Sequence, residues 1–293
     1  MTNIAVIGLG VMGLPMAKNL VARGHDVTGM DLSAEAQNAF GNGQAPSAEA
    51  LKPAEIIVTM LPEGAHVAKA YDEVVLPGAA EDALLIDCST IDVDTARSLA
   101  ASAAARGLAM IDAPVSGGPE AAGKGTLSFM VGGPEEGFSR AGSILADMGA
   151  KITYFGEAGA GQAAKACHNM ICGITAMAVV EGFALADALG LDLAKFQKLC
   201  SGAAAQSWSL DNRCPIPGVV PEAPASNGYA PGFAARLMAK DLRLAQAAAE
   251  SSGQATPFGA AAAQTFTEFA ESGGGEFDFS AIYRTLRSLP ASK

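Results

Sequence analysis

Residues 4–13 read IAVIGLGVMG, an apolar run that leads directly into three glycines spaced G-x-G-x-x-G. A helical pattern follows at 12–21, and a second apolar run at 27–30 is followed by Asp31. In a strand–turn–helix unit, the first glycine permits a tight turn, the second lets the backbone approach a pyrophosphate, and the third lets the helix pack on the strand. The pyrophosphate would lie on the N–H groups at the helix start. The stretch therefore predicts a dinucleotide site that includes Gly8, Gly10, Val11, Met12 and Gly13.

Asp31 indicates which dinucleotide is bound. It lies 18 residues beyond Gly13, about where the acidic residue of such a unit accepts hydrogen bonds from the ribose 2′-hydroxyl. The same carboxylate repels a 2′-phosphate, and residues 32–34, which read LSA, offer no cation to bind one. We therefore expect NAD rather than NADP.

Short apolar runs alternate with helical patterns through the first half of the chain. The runs lie at 4–7, 27–30, 55–60, 84–87, 109–111 and 127–131. Between them are stretches with helical spacing, such as 94–106 and 134–148. Alternation of this kind indicates a parallel sheet covered by helices on both faces. The expected architecture is a Rossmann-type doubly wound α/β sheet.

The alternation stops near residue 161. Residues 162–189 read as one long helix whose apolar residues run almost all the way round, which predicts burial between domains or between subunits. Helical patterns dominate the remainder, at 193–199, 234–250, 257–270 and 279–289. We therefore expect residues 1–160 to form an NAD-binding Rossmann domain and residues 161–293 an all-helical substrate and oligomerisation domain, joined by a long interdomain helix.

Composition excludes several classes of function. Thirty acidic and 19 basic residues give a formal net charge of −11, and a field of that sign disfavours a nucleic-acid partner. Five scattered cysteines and three histidines have neither the arrangement of a disulfide framework nor the spacing of zinc ligands, so we expect no metal site. No signal peptide is evident, and no apolar run approaches the roughly 20 residues of a membrane span. We expect a cytoplasmic protein that does not bind membranes.

A bound nicotinamide needs a proton acceptor beside the substrate alcohol. None of the four tyrosines is followed four positions later by lysine, so the tyrosine–lysine couple of short-chain dehydrogenases is absent. Lys165 and Asn169 lie four residues apart in the predicted long helix and share one face. A lysine buried in a cleft beside the positive nicotinamide ring would have its pKa lowered from about 10.4 toward the roughly 7–8 that suits a general base. There are two alternatives: Lys165 is a solvated lysine on the helix surface, or the neighbouring His168 is the base.

Residues 112–118 read DAPVSGG and follow the apolar run at 109–111. Ligands of open α/β sheets bind beyond the carboxyl ends of the strands. A serine hydroxyl followed by two glycine N–H groups makes a nest for a carboxylate, so Ser116, Gly117 and Gly118 are candidate substrate-binding residues. A glycine-rich turn without a ligand is the alternative.

Four stretches together resemble the β-hydroxyacid dehydrogenase family. They read GLGVMGLPMAKNL at 8–20, DAPVSGG at 112–118, GAGQAAKACHNM at 159–170 and KDL at 240–242. The resemblance implies an NAD-dependent oxidoreductase with Lys165 as its catalytic lysine. It implies that the substrate is bound by Ser116, Gly117, Gly118 and Asn169. It also implies that the cofactor is contacted by Leu61, Pro62, His66, Thr90, Phe233 and Lys240.

The second half carries a more specific resemblance within that family. The stretches PIPG at 215–218, ASNGY at 225–229 and GF at 232–233 imply oxidation of 3-hydroxyisobutyrate to methylmalonate semialdehyde, a step of valine breakdown. The same catalytic residues with different side chains lining the pocket would serve tartronate semialdehyde, serine or a sulfonated analogue. A non-catalytic dinucleotide-binding protein is a further alternative, but such a protein should lack Lys165. Trp208 and Phe233 are candidate apolar walls or core residues. The apolar long helix predicts a homodimer or a homotetramer.

Overall fold

The structure is a computed structural model that describes residues 1–286. The chain divides into two compact units, Met1–Lys165 and Ala166–Lys293. The predicted helix at 279–289 is described only as far as residue 286, and its last three residues lie outside the described part of the chain.

The first unit contains one sheet of eight strands. These are β1 (Asn3–Ile7), β2 (Asp26–Met30), β3 (Ile56–Thr59), β4 (Leu84–Asp87), β5 (Ala109–Asp112), β6 (Val115–Ser116), β7 (Leu127–Gly132) and β8 (Gly149–Gly156). Their order across the sheet is β2-β1-β3-β4-β5-β7-β6, and β8 pairs with β7. Strands β1 to β5 are parallel, as the alternating pattern predicts.

Helices cover both faces of this sheet. They are α1 (Gly13–Ala22), α2 (Ala34–Phe40), α3 (Ala48–Leu51), α4 (Gly64–Ala70), α5 (Leu76–Gly78), α6 (Val93–Ala104), α7 (Gly118–Lys124) and α8 (Glu135–Met148), with a π-helical turn at Tyr71–Val75. The side chains of Ile4 and Val6 pack in one apolar core with α1 and α8, whereas Ala5 and Ile7 pack in the core on the opposite face with α4 and α6. Because successive strand residues point to opposite faces, burial of both sets explains why β1 is continuously apolar. The prediction of a doubly wound α/β sheet is confirmed.

Strand β7 runs antiparallel to β5 and β6, so the prediction of a wholly parallel sheet is wrong at this point. Asp112 pairs with Gly132 and Ser116 with Ser128, so β5 and β6 form one interrupted strand beside β7. Only residues 117–126 connect β6 to β7. A parallel pairing needs a crossover of about a dozen or more residues, and this connection is shorter.

Strand β8 was not predicted. It pairs parallel to β7, and most of its residues are exposed or half-buried. This strand lacks the continuous apolar run that marks β1 to β5, because its side chains are largely exposed instead of buried on both faces of the sheet.

The long helix α9 (Ala160–Ala188) begins two residues before the predicted stretch and ends one residue before its end. Its mean hydropathy reaches 1.6 over an 18-residue window of which 33% is buried, so by length and composition alone it could cross a membrane. That finding corrects the expectation that no apolar stretch approaches a membrane span. The core helix of a soluble protein passes the same test.

The second unit is helical, as predicted. After α9 come α10 (Leu193–Cys200), α11 (Trp208–Asn212), α12 (Ala235–Ser252), α13 (Pro257–Phe269) and α14 (Tyr283–Leu286), with a π-helical turn at Ala270–Gly274 and 3₁₀ turns at Pro224–Asn227 and Phe279–Ile282. Its core joins Phe183 of α9, Met238 of α12 and Phe266 of α13, all of which are buried. Phe266 and Phe279 meet edge to face with ring centroids 6.3 Å apart.

Candidate active site

The three glycines between β1 and α1 have the geometry that the sequence predicts. Gly8 has a φ of +99°, and a Cβ there would clash with the carbonyl oxygen of Met60. A Cβ on Gly13 would clash with the carbonyl oxygen of Gly8, so the close approach of helix and strand requires glycine. A Cβ on Gly10 would meet no atom within 4 Å, so this part of the loop faces open space. These residues fit a dinucleotide pyrophosphate at the start of α1.

Two neighbours of these glycines also suit a ligand. Val11 is 75% exposed and Met12 is half-buried at the helix start. Met12 occupies the N-cap position of α1, and its side chain makes no hydrogen bond to the first N–H groups of the helix. The first N–H groups of a helix need acceptors, which phosphate oxygens supply.

Asp31 supports the glycine loop directly. One carboxylate oxygen accepts a hydrogen bond from the backbone N–H of Leu9 at 2.7 Å, and the other accepts one from the N–H of Ser33 at 2.8 Å. The side chain therefore lies beside the loop at the end of β2, where a ribose hydroxyl would be bound. Leu32 is 89% exposed and adds no cation there.

Other predicted cofactor residues follow β3 and β4 at the carboxyl edge of the same sheet. Leu61 is half-buried, and its N–H donates to the hydroxyl of Ser89 at 2.9 Å. Pro62 is exposed beside it, Thr90 is half-buried after β4, and His66 is exposed on α4. Because the carboxyl ends of parallel strands share one edge, the structure brings these segments to the edge that holds the glycine loop.

The DAPVSGG stretch ends in two glycines that have positive φ angles. Ser116 closes β6 and is half-buried, and Gly117 and Gly118 have φ angles of +134° and +69° at the start of α7. These angles lie in the region that favours glycine. Successive N–H groups in such a turn suit an anion, which agrees with the predicted carboxylate site.

Lys165 lies in the first turns of α9 and is only 7% exposed. This position disagrees with the alternative of a solvated surface lysine. His168, the rival base, is exposed, and its Nδ1 lies 2.8 Å from Oδ1 of Asn169. The burial of the two side chains therefore favours Lys165.

Two residues that form hydrogen bonds at the start of α9, Asp112 and Gln162, were not among the predicted site residues. The Asp112 carboxylate accepts hydrogen bonds from the N–H groups of Gly159 at 2.7 Å and Gln162 at 2.8 Å. Burial raises the pKa of Asp112, and these two backbone hydrogen bonds oppose that effect. The side chain of Gln162 is itself buried and bonds to the segment after β4. Asp112 is the first residue of the DAPVSGG stretch, and this position was the only feature of the sequence that could have pointed to it.

In the second unit, Asn169 belongs to a polar cluster. Its Nδ2 donates to Oδ2 of Asp241 at 2.5 Å, and both residues are buried. Lys240 Nζ lies 3.3 Å from the other carboxylate oxygen of Asp241. Asp241 was not predicted as a site residue. It fixes the orientation of the Asn169 amide, because only the Nδ2 end can donate to a carboxylate.

The two candidate apolar walls differ. Phe233 is half-buried and meets Phe279 edge to face at 5.9 Å, so it packs against the core of the second unit. Trp208 is 52% exposed, and the guanidinium of Arg213 lies 4.8 Å from the centre of its ring. Trp208 is therefore a surface residue rather than a core residue.

Two family models together match nearly the whole chain. Residues 3–156 match the NAD binding domain of 6-phosphogluconate dehydrogenase, and residues 159–286 match the model described as NAD-binding of NADP-dependent 3-hydroxyisobutyrate dehydrogenase. The chain is 46% identical to a 3-hydroxyisobutyrate dehydrogenase of Pseudomonas aeruginosa, over 98% of this chain and 99% of that relative. The chain belongs to the β-hydroxyacid dehydrogenase family.

Further relatives agree with this membership. A solved structure of a Mycobacterium tuberculosis 3-hydroxyisobutyrate dehydrogenase with L-serine superposes with a TM-score of 0.94 at 43% identity, covering 98% of this chain and 100% of that one. An NAD-dependent L-serine dehydrogenase of Pseudomonas aeruginosa is 41% identical, over 97% of each chain. As a β-hydroxyacid dehydrogenase, the protein is an NAD-binding oxidoreductase, and the resemblance drawn from four stretches of sequence is confirmed.

Proposed function

We propose that this β-hydroxyacid dehydrogenase oxidises 3-hydroxyisobutyrate to methylmalonate semialdehyde with NAD, as a cytoplasmic step of valine breakdown. The observation that carries the proposal is the burial of Lys165, a residue that is 7% exposed, within a helix that matches the family's second model. Relatives at 46% and 44% identity that carry the name of this activity support the choice of substrate.

The roles of the residues follow from their chemistry. Ser116 and the N–H groups of Gly117 and Gly118 bind the substrate carboxylate. Lys165 Nζ, in its neutral form, takes the proton of the substrate hydroxyl, and Asn169 orients the reacting end. Bound NAD supplies the hydride acceptor, so the alcohol loses one proton and one hydride and becomes an aldehyde.

The cofactor is held by the first unit in this proposal. The N–H groups at Gly10, Val11 and Met12 bind the pyrophosphate, and Asp31 accepts from the ribose hydroxyls. Asp31 also sets the preference for NAD, because its carboxylate repels the 2′-phosphate of NADP. Leu61, Pro62, His66 and Thr90 contribute contacts from the same edge of the sheet, with Phe233 and Lys240 assigned to the cofactor by the family resemblance.

A panel of acids tests the substrate. NAD reduction is followed with 3-hydroxyisobutyrate, L-serine and glycerate side by side, and kcat/KM is compared. We expect 3-hydroxyisobutyrate to give the highest value. L-serine is the second candidate, because one relative is named for serine oxidation and one related structure contains L-serine. Highest activity with serine would replace the proposed substrate, and no turnover with any acid would indicate a non-catalytic NAD-binding protein.

We propose that residues 1–160 serve as the NAD-binding domain, which also supplies Ser116, Gly117 and Gly118 to the substrate, and that residues 161–293 are the helical substrate and oligomerisation domain of a homodimer or homotetramer. The support is an exposed apolar row on α9, in which Ile171 and Leu185 are each 61% exposed; Leu189, 67% exposed, follows directly after the helix ends. The spacing of 14 residues places Ile171 and Leu185 on one face of the helix. A second copy of the chain would cover this row.

Light scattering after size-exclusion chromatography tests the oligomer. The variant Leu185→Glu should lower the mass, because a charge in an apolar interface is costly to bury. The control is Leu199→Glu on α10, a leucine that is 68% exposed. A monomeric wild-type protein would contradict the proposed assembly.

A further inference from the structure

The carboxylate of Asp112 binds the start of α9 although the two segments lie far apart in sequence. Asp112 ends β5, is 3% exposed, and uses both oxygens to accept from N–H groups of residues 47 and 50 positions later, those of Gly159 and Gln162. The first N–H groups of a helix lack partners within the helix and carry its positive dipole end. The side chain therefore ties the catalytic helix to the strand that continues into the substrate loop.

Two glycines allow the helix start to approach the ends of the strands. A Cβ on Gly161 would clash with the carbonyl oxygen of Met130 and would lie 2.8 Å from the Asp112 carboxylate. A Cβ on Gly132 would lie 2.6 Å from the backbone nitrogen of Gly161. Any larger residue at either position would push the helix away from Asp112. The local sequence is thus consistent with a fixed contact between carboxylate and helix.

Gln162 extends this contact to the cofactor side of the sheet. Its side-chain Nε2 donates to the carbonyl oxygen of Ser89 at 2.8 Å, and its Oε1 accepts from the N–H of Ile91 at 3.1 Å. These two bonds flank Thr90, a predicted cofactor residue. The hydroxyl of Ser89 in turn accepts from the N–H of Leu61, another predicted cofactor residue. One glutamine therefore joins the helix start to two cofactor segments.

We propose that Asp112 and Gln162 are positioning residues that fix the first turn of α9 and thereby the amine of Lys165. Lys165 lies three residues beyond Gln162, less than one turn along the helix. Neither residue is assigned a contact with substrate or cofactor. This inference rests on the proposed role of Lys165 as the base.

The variant Asp112→Asn tests the proposal, because it keeps the size of the side chain and turns one accepting oxygen into an NH₂ that faces an N–H donor. A misplacement of about 1 Å at a reacting group costs on the order of 100-fold in rate. We expect kcat to fall by about 10- to 100-fold, with the dissociation constant of NAD unchanged. Gln162→Met and Gln162→Glu should also lower kcat, because Met removes both side-chain bonds and Glu places a carboxylate oxygen against the carbonyl oxygen of Ser89.

Two further measurements separate positioning from a general loss of structure. In a Lys165→Ala background, Asp112→Asn should cause no further fall in kcat, because its effect passes through the amine. Hydrogen exchange of the amides at 159–165 should become faster in Asp112→Asn. The matched control is Asp192→Ala, which removes the carboxylate that caps α10 by accepting from Ala194 and Lys195, and should leave kcat unchanged.

The outcomes are distinct. Unchanged kcat in Asp112→Asn and both Gln162 variants would overturn the inference, and so would a fall in kcat that persists in the Lys165→Ala background or accompanies an equal loss of NAD affinity. Should Asp112→Asn fail to fold, the Gln162 pair decides the question. Inactivity of the wild-type protein toward 3-hydroxyisobutyrate would count against the proposed substrate only, because the exchange measurement needs no substrate and the kinetic ones use the best acid of the panel.

Discussion

Asp87 and Asp112 lie opposite each other at the carboxyl ends of β4 and β5, and both carboxyl groups are buried. Oδ1 of Asp87 accepts from the hydroxyls of Thr59 and Ser89, each at 2.7 Å. Burial raises the pKa of Asp87 to about 6, with the nearby Asp112 adding to the effect and the hydrogen bonds from Ser89 and Thr59 opposing it. The folded protein therefore binds a proton at this position more tightly than the unfolded chain does.

Asp87 should make the protein less stable as the pH rises from about 4 to about 6. In that window the unfolded chain has released the proton that the folded protein still holds, so the free energy of unfolding falls by roughly 3 kcal/mol in total. Asp87→Asn keeps an acceptor for Thr59 and Ser89 but stays neutral at every pH. We expect the stability of Asp87→Asn relative to wild type to rise through this window and then level off.

Chemical denaturation of both proteins from about pH 4 to about pH 8 measures this difference. Comparison of the two proteins cancels the titration of all other groups. A difference that stays constant with pH would show that Asp87 does not titrate in this window.

Substitution by alanine should have different effects at Gly13, the first residue of α1, and at Gly10, which precedes the helix. Gly13→Ala places a Cβ against the carbonyl oxygen of Gly8 and should destabilise the protein by about 1–3 kcal/mol or more. Gly10→Ala meets no atom within 4 Å, so it should fold normally and lose NAD affinity because its methyl group occupies the space of the pyrophosphate. Thermal unfolding and NAD titration measure the two effects.

Gly142→Ala serves as the control for both glycine variants. It lies within α8 with open space at its Cβ position, so we expect a gain of about 0.5–1 kcal/mol and unchanged NAD affinity. Normal NAD affinity in Gly10→Ala would mean that the pyrophosphate lies elsewhere.

The cofactor preference should follow Asp31. Asp31→Ser combined with Leu32→Arg removes the carboxylate and supplies a cation, so the ratio of kcat/KM with NADP to that with NAD should rise. The total activity should also fall, because Asp31 holds the N–H of Leu9 in the glycine loop. Asp26→Ser, an exposed carboxylate at the amino end of β2, should keep the wild-type ratio. An unchanged ratio in the double variant would mean that the ribose does not bind beside Asp31.

Most of the sheet could be predicted from the sequence because β1 to β5 are buried on both faces and therefore read as continuous apolar runs. The same reasoning missed β8, whose residues are largely exposed at the sheet edge. It also gave β7 the wrong direction, because an apolar run does not reveal which way a strand lies. Only the short length of the 117–126 connection indicated that β7 runs antiparallel to β6.

The candidate site likewise contains residues that the sequence could indicate and residues that it could not. Candidate residues that belong to a short local pattern, such as Gly13 and Ser116, could be proposed from their spacing. Asp112 and Gln162 make hydrogen bonds that span 47 to 73 positions, and no local pattern contains such pairs. Asp241 bonds to Asn169 across 72 positions and was missed for the same reason.

Removal of the amine tests the central claim most directly. Lys165→Ala should lower kcat for 3-hydroxyisobutyrate by at least about 100-fold, the lower end of what a general base contributes, while NAD affinity stays unchanged. Lys165→Arg should be similarly inactive, because a guanidinium does not release its proton in a protein. Lys195→Ala, an exposed lysine on α10, should behave like wild type. Near-normal turnover by Lys165→Ala, together with loss of turnover in His168→Ala, would transfer the role of base to His168 and contradict this account.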